Sequence, residues 1–339
     1  MKIDTRRNIC FYYVRMRYRQ LGRTGIEVSE MGYGAWGIGG KMWLGGNDDE
    51  SVAALRRAFE LGLNFIDTAL VYGEGHSEQL VGEVIRDVAP NIYVASKVPP
   101  KNRLWPARPG IGIEETFPYD YILKCTEESL RNLKRDSLDL QQLHVWNPEW
   151  LERDEWRRAF EDLKKSGKAK SVGVSINDHD PDSALELVRT GLVDTVQVIY
   201  NIFDQSPEAR LFPLALELGI GVLARVPLDE GSLTGTITEQ STFEPGDFRG
   251  RYFRGDRKRQ VVEHVDALER DLKGAGERGP LPQIALRYCL SNPAVSTVIP
   301  GMRRIRNVDQ NCAASDAGPL PSNVLAILKR HAWDRNFYA

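Results

Sequence analysis

Four polar side chains sit at the ends of apolar runs that would otherwise read as buried strands. Asp67 lies in FIDTAL, Tyr72 follows in VYGEG, Lys97 ends VASKV and His144 ends QQLHV. A polar group in such a run is costly without a partner. A tyrosine is a poor acid, with a free pKa of about 10. A nearby lysine cation favours the phenolate and lowers that value. An aspartate paired with the lysine keeps the ammonium in place and charged. A histidine beside the phenol can hydrogen-bond a carbonyl oxygen and orient it. The set is a proton donor aimed at an electrophilic carbonyl. Hydride must come from elsewhere, which implies a nicotinamide. Each residue alone has a plainer reading: a cap or ion pair, a lysine reaching water, a loop aromatic, a satisfied core histidine. The four together argue against coincidence.

The elements that must gather them follow from the apolar runs. There are eight: 31–36, 65–70, 92–98, 138–145, 170–176, 195–200, 221–227 and 296–301. Amphipathic stretches such as DDESVAALRRAFELG and EWRRAFEDLKKSGK lie between them. Asp48 precedes the first helix, Asp180–Pro181 opens the fifth, and Gly62, Gly167, Gly191 and Gly219 close helices. Strand–helix repetition predicts parallel strands with right-handed crossovers, and eight strands close a (β/α)8 TIM barrel. Ahead of it, RYRQLGRTGIEVSEMGYG predicts a β-hairpin turning at Arg23–Gly25. A last helix is expected over 322–333. The rival is an open doubly wound sheet. Gly32, Gly34 and Gly37 spell GxGxxG, but a further loop follows them before any helix, so the match is read as coincidental. Long loops at 99–118 and 228–257 follow the third and seventh strands, on the face where barrel enzymes carry their sites.

The chain has 339 residues, 45 basic and 47 acidic, for a net charge of −2. That balance argues against a nucleic-acid partner. The absence of a long apolar run argues against a membrane span. Cys10, Cys125, Cys289 and Cys312 are scattered, and the histidines lack ligand spacing. The expectation is a reduced cytoplasmic protein with no metal. Residues 1–15 read as a loose extension without function, and 16–339 as one barrel domain. Arg15, Arg17 and Arg19 read as a solvated strand edge.

The residues also resemble a known family. LGRTGIEVSEMGYGAWGIGG, FIDTALVYGEGHSEQLVG, VASKV, LHVWN, GVS, VQVIYN and VIPGMR, from about Tyr18 onward, resemble the aldo-keto reductases. The likeness is to the branch with bacterial general stress reductases and potassium-channel β subunits. It implies a barrel whose hairpin plugs the bottom, a tetrad at Asp67, Tyr72, Lys97 and His144, and reversible reduction of a small-molecule carbonyl by NADPH. The channel subunits diverge at the histidine that this chain keeps, which favours a reductase over the alternative, an NADPH-binding redox-sensing subunit. By the same likeness Ser175 and Gln197 hold the nicotinamide carboxamide, with Asp67 nearby. Ile176 stands where the family has Asn or Arg, and Asn177 is open as a substitute. Arg225-Val226-Pro227-Leu228 replaces an aromatic residue and Ser-Pro-Leu, and Gly231 follows in the cofactor loop. Arg225 either stacks on the nicotinamide, the favoured reading, or pairs with a carboxylate such as Asp229 or Glu230. Gly301, Arg303 and Asn307 are expected near the 2′-phosphate, and Gln310 and Asn311 near the adenine. Trp36 lines the mouth or is a core tryptophan. Trp105, Trp146 and Trp150 are candidate substrate walls, with Phe243 and Phe248. Substrate and oligomeric state are not legible.

Overall fold

The computed structural model describes residues 15–88 and 91–338. The expectation for the first fifteen residues therefore lies, apart from Arg15, outside the described residues.

Strands β1 (Tyr18–Gln20) and β2 (Glu27–Ser29) form an antiparallel hairpin. Eight further strands follow: β3 (Tyr33–Gly34), β4 (Phe65–Asp67), β5 (Tyr93–Val98), β6 (Leu138–Leu143), β7 (Ala169–Ser175), β8 (Thr195–Ile199), β9 (Gly221–Arg225) and β10 (Val295–Val298). All eight neighbour one another in sequence order and pair in parallel. Each coincides with one of the eight predicted runs. The ends of the sheet meet through bridges Met31–Val298 and Gly34–Gly301, supported by Gly32 N–H donating to the Val298 carbonyl at 2.8 Å. At that seam a Cβ on Gly34 would lie 2.5 Å from the Ile299 carbonyl oxygen. Gly32 and Gly34 thus serve barrel closure and not a phosphate turn.

The helices are α1 (Asp48–Glu60), α2 (His76–Arg86), α3 (Ile113–Thr116), α4 (Tyr119–Leu133), α5 (Asp154–Lys165), α6 (Leu185–Thr190), α7 (Leu211–Leu218), α8 (Phe248–Tyr252), α9 (Arg257–Gly274), α10 (Leu281–Leu290), α11 (Ile305–Ala317) and α12 (Ser322–Lys329). Their apolar faces bury residues such as Leu55, Leu130, Phe160 and Leu268 against the outside of the barrel. The cap of α1 is Asn47, whose side chain accepts from Glu50 N–H at 2.8 Å, with Asp48 already inside the helix. The expected last helix stops at Lys329, and residues 330–338 follow without helix or strand.

The hairpin closes the barrel floor. Leu21, Ile26 and Val28 pack with Phe65, Ala95, Leu140 and Leu223 in a cluster separate from the outer core. Arg19 donates to Glu30 at 2.7 Å and to the carbonyls of Leu290 and Val295 at 2.7 and 2.9 Å. It is therefore a clasp between hairpin and barrel, where the sequence suggested a solvated edge. Among the described residues no helix is long and apolar enough to cross a membrane.

Candidate active site

Parallel pairing puts Asp67, Lys97 and His144 at the C-terminal ends of three adjacent strands. Asp67 ends β4, Lys97 lies opposite Gln142 in the β5–β6 register, and His144 N–H continues that ladder to the Val98 carbonyl at 3.0 Å. Tyr72 sits on the turn after β4. That turn is seated by backbone contact: a Cβ on Gly73, at φ +66°, would lie 2.1 Å from the Gly39 carbonyl oxygen. Only glycine fits there.

The Lys97 ammonium donates to Asp67 Oδ2 at 2.6 Å, to the Thr68 carbonyl at 2.8 Å and to the Tyr72 hydroxyl at 3.4 Å. Lys97 has no exposed surface. Burial works against the ammonium, but Asp67 and Tyr72 outweigh it and its pKa is raised. Across the barrel, Gln197 of β8 donates to Asp67 Oδ1 at 2.7 Å, so both carboxylate oxygens are fixed. Burial raises the Tyr72 pKa, and Lys97 pulls it back only in part. The net direction is up, where the sequence argument weighed the lysine alone. His144 meets the Tyr72 ring edge-on at 5.8 Å, and its Nδ1 is buried without a partner among the described residues. Burial, then Lys97 and Arg225, push its pKa well below the ordinary histidine value, so the ring is neutral.

This arrangement, a shared proton site at the open end of an eight-stranded barrel, agrees with what the chain resembles. The Aldo/keto reductase family model matches residues 30–332. The chain belongs to the aldo/keto reductase family. Aldo-keto reductase YhdN of Bacillus subtilis is 30% identical over 296 residues, 85% of this chain and 86% of that protein. The NADH-specific methylglyoxal reductase of Escherichia coli is 28% identical, covering 88% and 93%. The holo form of aldo-keto reductase AKR11C1 from Bacillus halodurans superposes with a TM-score of 0.75 at 28% identity, covering 94% of this chain and 97% of that one. Membership makes the protein an NAD(P)H-dependent carbonyl oxidoreductase.

The remaining expected residues of the reductase sit at the ends of β7, β8, β9 and β10 and at the start of α11. Ser175 and Gln197 face each other in the β7–β8 register, both buried. Val226, Pro227, Leu228 and Gly231 form the turn leaving β9. There the Ser232 hydroxyl is buried without a partner among the described residues, and the space above Gly231 is open. Gly301 is likewise open, and Arg303 precedes α11, whose N-terminus has no side-chain cap. Asn307 and Gln310 follow on that helix, and the buried Asn311 amide nitrogen has no partner among the described residues. Orphaned buried donors, open glycines and a bare helix N-terminus suit a phosphate-bearing dinucleotide. Ser232 escaped the sequence reading, and nothing in its local pattern marks it.

Other residues are placed differently from expectation. Trp146 and Trp150 are not pocket walls. They have 0% and 1% exposure, pack edge-to-face on each other at 6.1 Å, and donate to the carbonyls of Ser183 and Ile111. Tryptophan N–H groups with backbone partners let both rings serve as core. Trp105 stands at the mouth, 40% exposed and edge-on to His144 at 5.9 Å. Trp36 is partly exposed, with its ring 6.4 Å from that of Tyr72 and 5.1 Å from that of Phe248. Phe243 stacks on Phe253 instead. Arg225 donates to Asp178 at 2.7 Å and to the Ile176 carbonyl at 3.0 Å, so its carboxylate partner is neither Asp229 nor Glu230. Asn177 exchanges two 3.1 Å hydrogen bonds with the backbone of Ala107 and so pins the 99–118 loop.

Proposed function

We propose that the reductase converts an aldehyde or ketone to its alcohol, reversibly, with NADPH as cofactor and Tyr72 as proton donor. The observation that carries this reading is the buried Asp67–Lys97 pair with its ammonium 3.4 Å from the Tyr72 hydroxyl. A bound reduced nicotinamide supplies the hydride. Tyr72 gives its proton to the substrate oxygen as that oxygen gains charge. Lys97, held by Asp67, stabilises the phenolate left behind, and neutral His144 hydrogen-bonds the same oxygen and orients the carbonyl. In the reverse direction Tyr72 accepts the alcohol proton. Ser175 and Gln197 are assigned to the carboxamide, and the turn from Val226 to Gly231 with Ser232 to the diphosphate. Gly301, Arg303 and Asn307 are assigned to the 2′-phosphate side, with Gln310 and Asn311 toward the adenine. Arg225 borders the nicotinamide as an ion-paired cation.

The preference for NADPH rests on Arg303, Arg304 and Arg306. Arg303, just ahead of α11 in sequence, donates through Nη1 to the carbonyls of Trp43 and Leu44 at 3.1 and 2.6 Å, which holds the guanidinium against the 43–46 loop. The NADH-specific relative makes this the point to measure. The complete acid–base set favours turnover over a redox-sensing regulatory subunit. The substrate is a small carbonyl compound entering between Trp36, Trp105 and Phe248, in the cytoplasm. A panel of aldehydes and ketones with NADPH and NADH tests the reading. Tyr72→Phe is expected to cut turnover by roughly 10²–10⁴-fold with NADPH affinity changed only a few-fold. Undiminished turnover in that variant removes Tyr72 from the mechanism.

A further inference from the structure

Beyond α12 the chain returns to the mouth of the barrel. Trp333 stacks on His264 at 3.8 Å, and its backbone N–H donates to the Phe203 carbonyl at 2.9 Å. The Phe337 carbonyl accepts from Arg257 at 2.7 Å. The segment then grips the turn that leaves β9. Arg335 forms an ion pair with Asp229, the two side chains being 5% and 2% exposed. The Tyr338 hydroxyl donates to Glu230 Oε1 at 2.6 Å. The Tyr338 ring packs on Phe248 at 6.1 Å, Tyr252 at 5.1 Å and His179 at 5.6 Å.

The gripped turn has an unusual shape and an unusual charge. Asp229 and Glu230 have φ of +50° and +53°, a region that side-chain-bearing residues seldom hold without outside support. Two adjacent buried carboxylates also oppose the approach of an anionic dinucleotide. Arg335 offsets the first. Burial, with Asp229 adding to it and Tyr338 and Arg225 opposing, pushes the Glu230 carboxyl up to about 7, so its negative charge is partly withdrawn.

We propose that residues 333–338 tether the β9 turn in the shape that receives the cofactor, with Arg335 and Tyr338 as positioning residues that hold and offset Asp229 and Glu230. The cofactor role in this statement rests on the function proposed above. The physical tether does not.

The test compares the full chain with Arg335→Met, Arg335→Lys and Tyr338→Phe. Without cofactor, amide hydrogen exchange over residues 229–235 is expected to rise tenfold or more in Arg335→Met, to recover largely in Arg335→Lys, and to rise several-fold in the milder Tyr338→Phe. With cofactor, release of NADPH followed by its fluorescence is expected to quicken in the same order, with the largest loss of affinity at low salt. Unchanged exchange in both Arg335→Met and Tyr338→Phe overturns the tether. Looser exchange with unchanged NADPH release overturns its role in holding the cofactor. A wild-type chain that binds neither NADPH nor NADH overturns the function proposed above, and the exchange measurement still decides the tether.

Discussion

The Asp67–Lys97–Tyr72 cluster joins stability to chemistry at single atoms. A buried ion pair that loses one partner costs about 3–5 kcal/mol, because the survivor stays buried and uncompensated. Lys97→Met is therefore expected to destabilise the fold by about that amount in denaturant unfolding. Lys97→Met with Asp67→Asn is expected to cost less than the sum of the two single changes, and strict additivity would show that the pair is not coupled. His144 makes a pH prediction. Its pKa is depressed in the fold, so a proton binds the unfolded chain more readily. Its contribution to stability is present above the unfolded value of about 6.5 and is lost as pH falls below it. Activity follows a different rule. The ring is already neutral, so kcat/KM for carbonyl reduction is expected to show no His144 limb near pH 6.5, falling only at alkaline pH as the phenol deprotonates. A limb near 6.5 that His144→Asn abolishes would contradict this. At this scale the clustering of Asp67, Tyr72, Lys97 and His144 was legible because polar residues at the ends of apolar runs demand partners. Trp146 and Trp150 were misread because a tryptophan in a loop sequence carries no mark of which way its ring points. Arg225 was only partly legible: a carboxylate partner was the less favoured alternative, and the one it takes, Asp178, lies 47 residues away, where only the barrel brings it near.

At the scale of elements, strand ends position the site and two glycines seat its turn. Gly73→Ala places a methyl into the Gly39 carbonyl and forces an alanine to a positive φ, a strain of order 1–3 kcal/mol. The turn is expected to shift Tyr72 away from Lys97, cutting turnover at least tenfold while cofactor affinity stays within a few-fold. Equal losses in both would show a general collapse instead. At the start of α11, Arg303→Ala is expected to weaken NADPH more than NADH in fluorescence titrations, and equal loss for both would end the 2′-phosphate assignment. All eight barrel strands were legible from apolar runs bounded by turns, because parallel strands buried on both faces leave continuous hydrophobic stretches. The final segment was not. A tail with Trp333, Arg335 and Tyr338 has no periodicity, and its grip on Asp229 and Glu230 depends on contacts over a hundred residues apart.

At the scale of the whole molecule, the barrel has a weak side. Neighbouring strands β5, β6 and β7 share ladders of four or five residues, whereas β3 has two residues and meets β10 only by isolated bridges. Trp36 stands on one bank of that seam and Gly301 with Arg303 on the other. Heat should open the cylinder there first, like a stave barrel parting at its loosest joint. A ligand long enough to touch both banks acts as a rivet. At a hundredfold excess over Kd, any ligand specific to the native state adds about 2.7 kcal/mol. NADP+ is thus expected to raise the melting temperature by several degrees, whereas nicotinamide mononucleotide, too short to reach Arg303 and so weaker in Kd, should raise it far less at the same concentration.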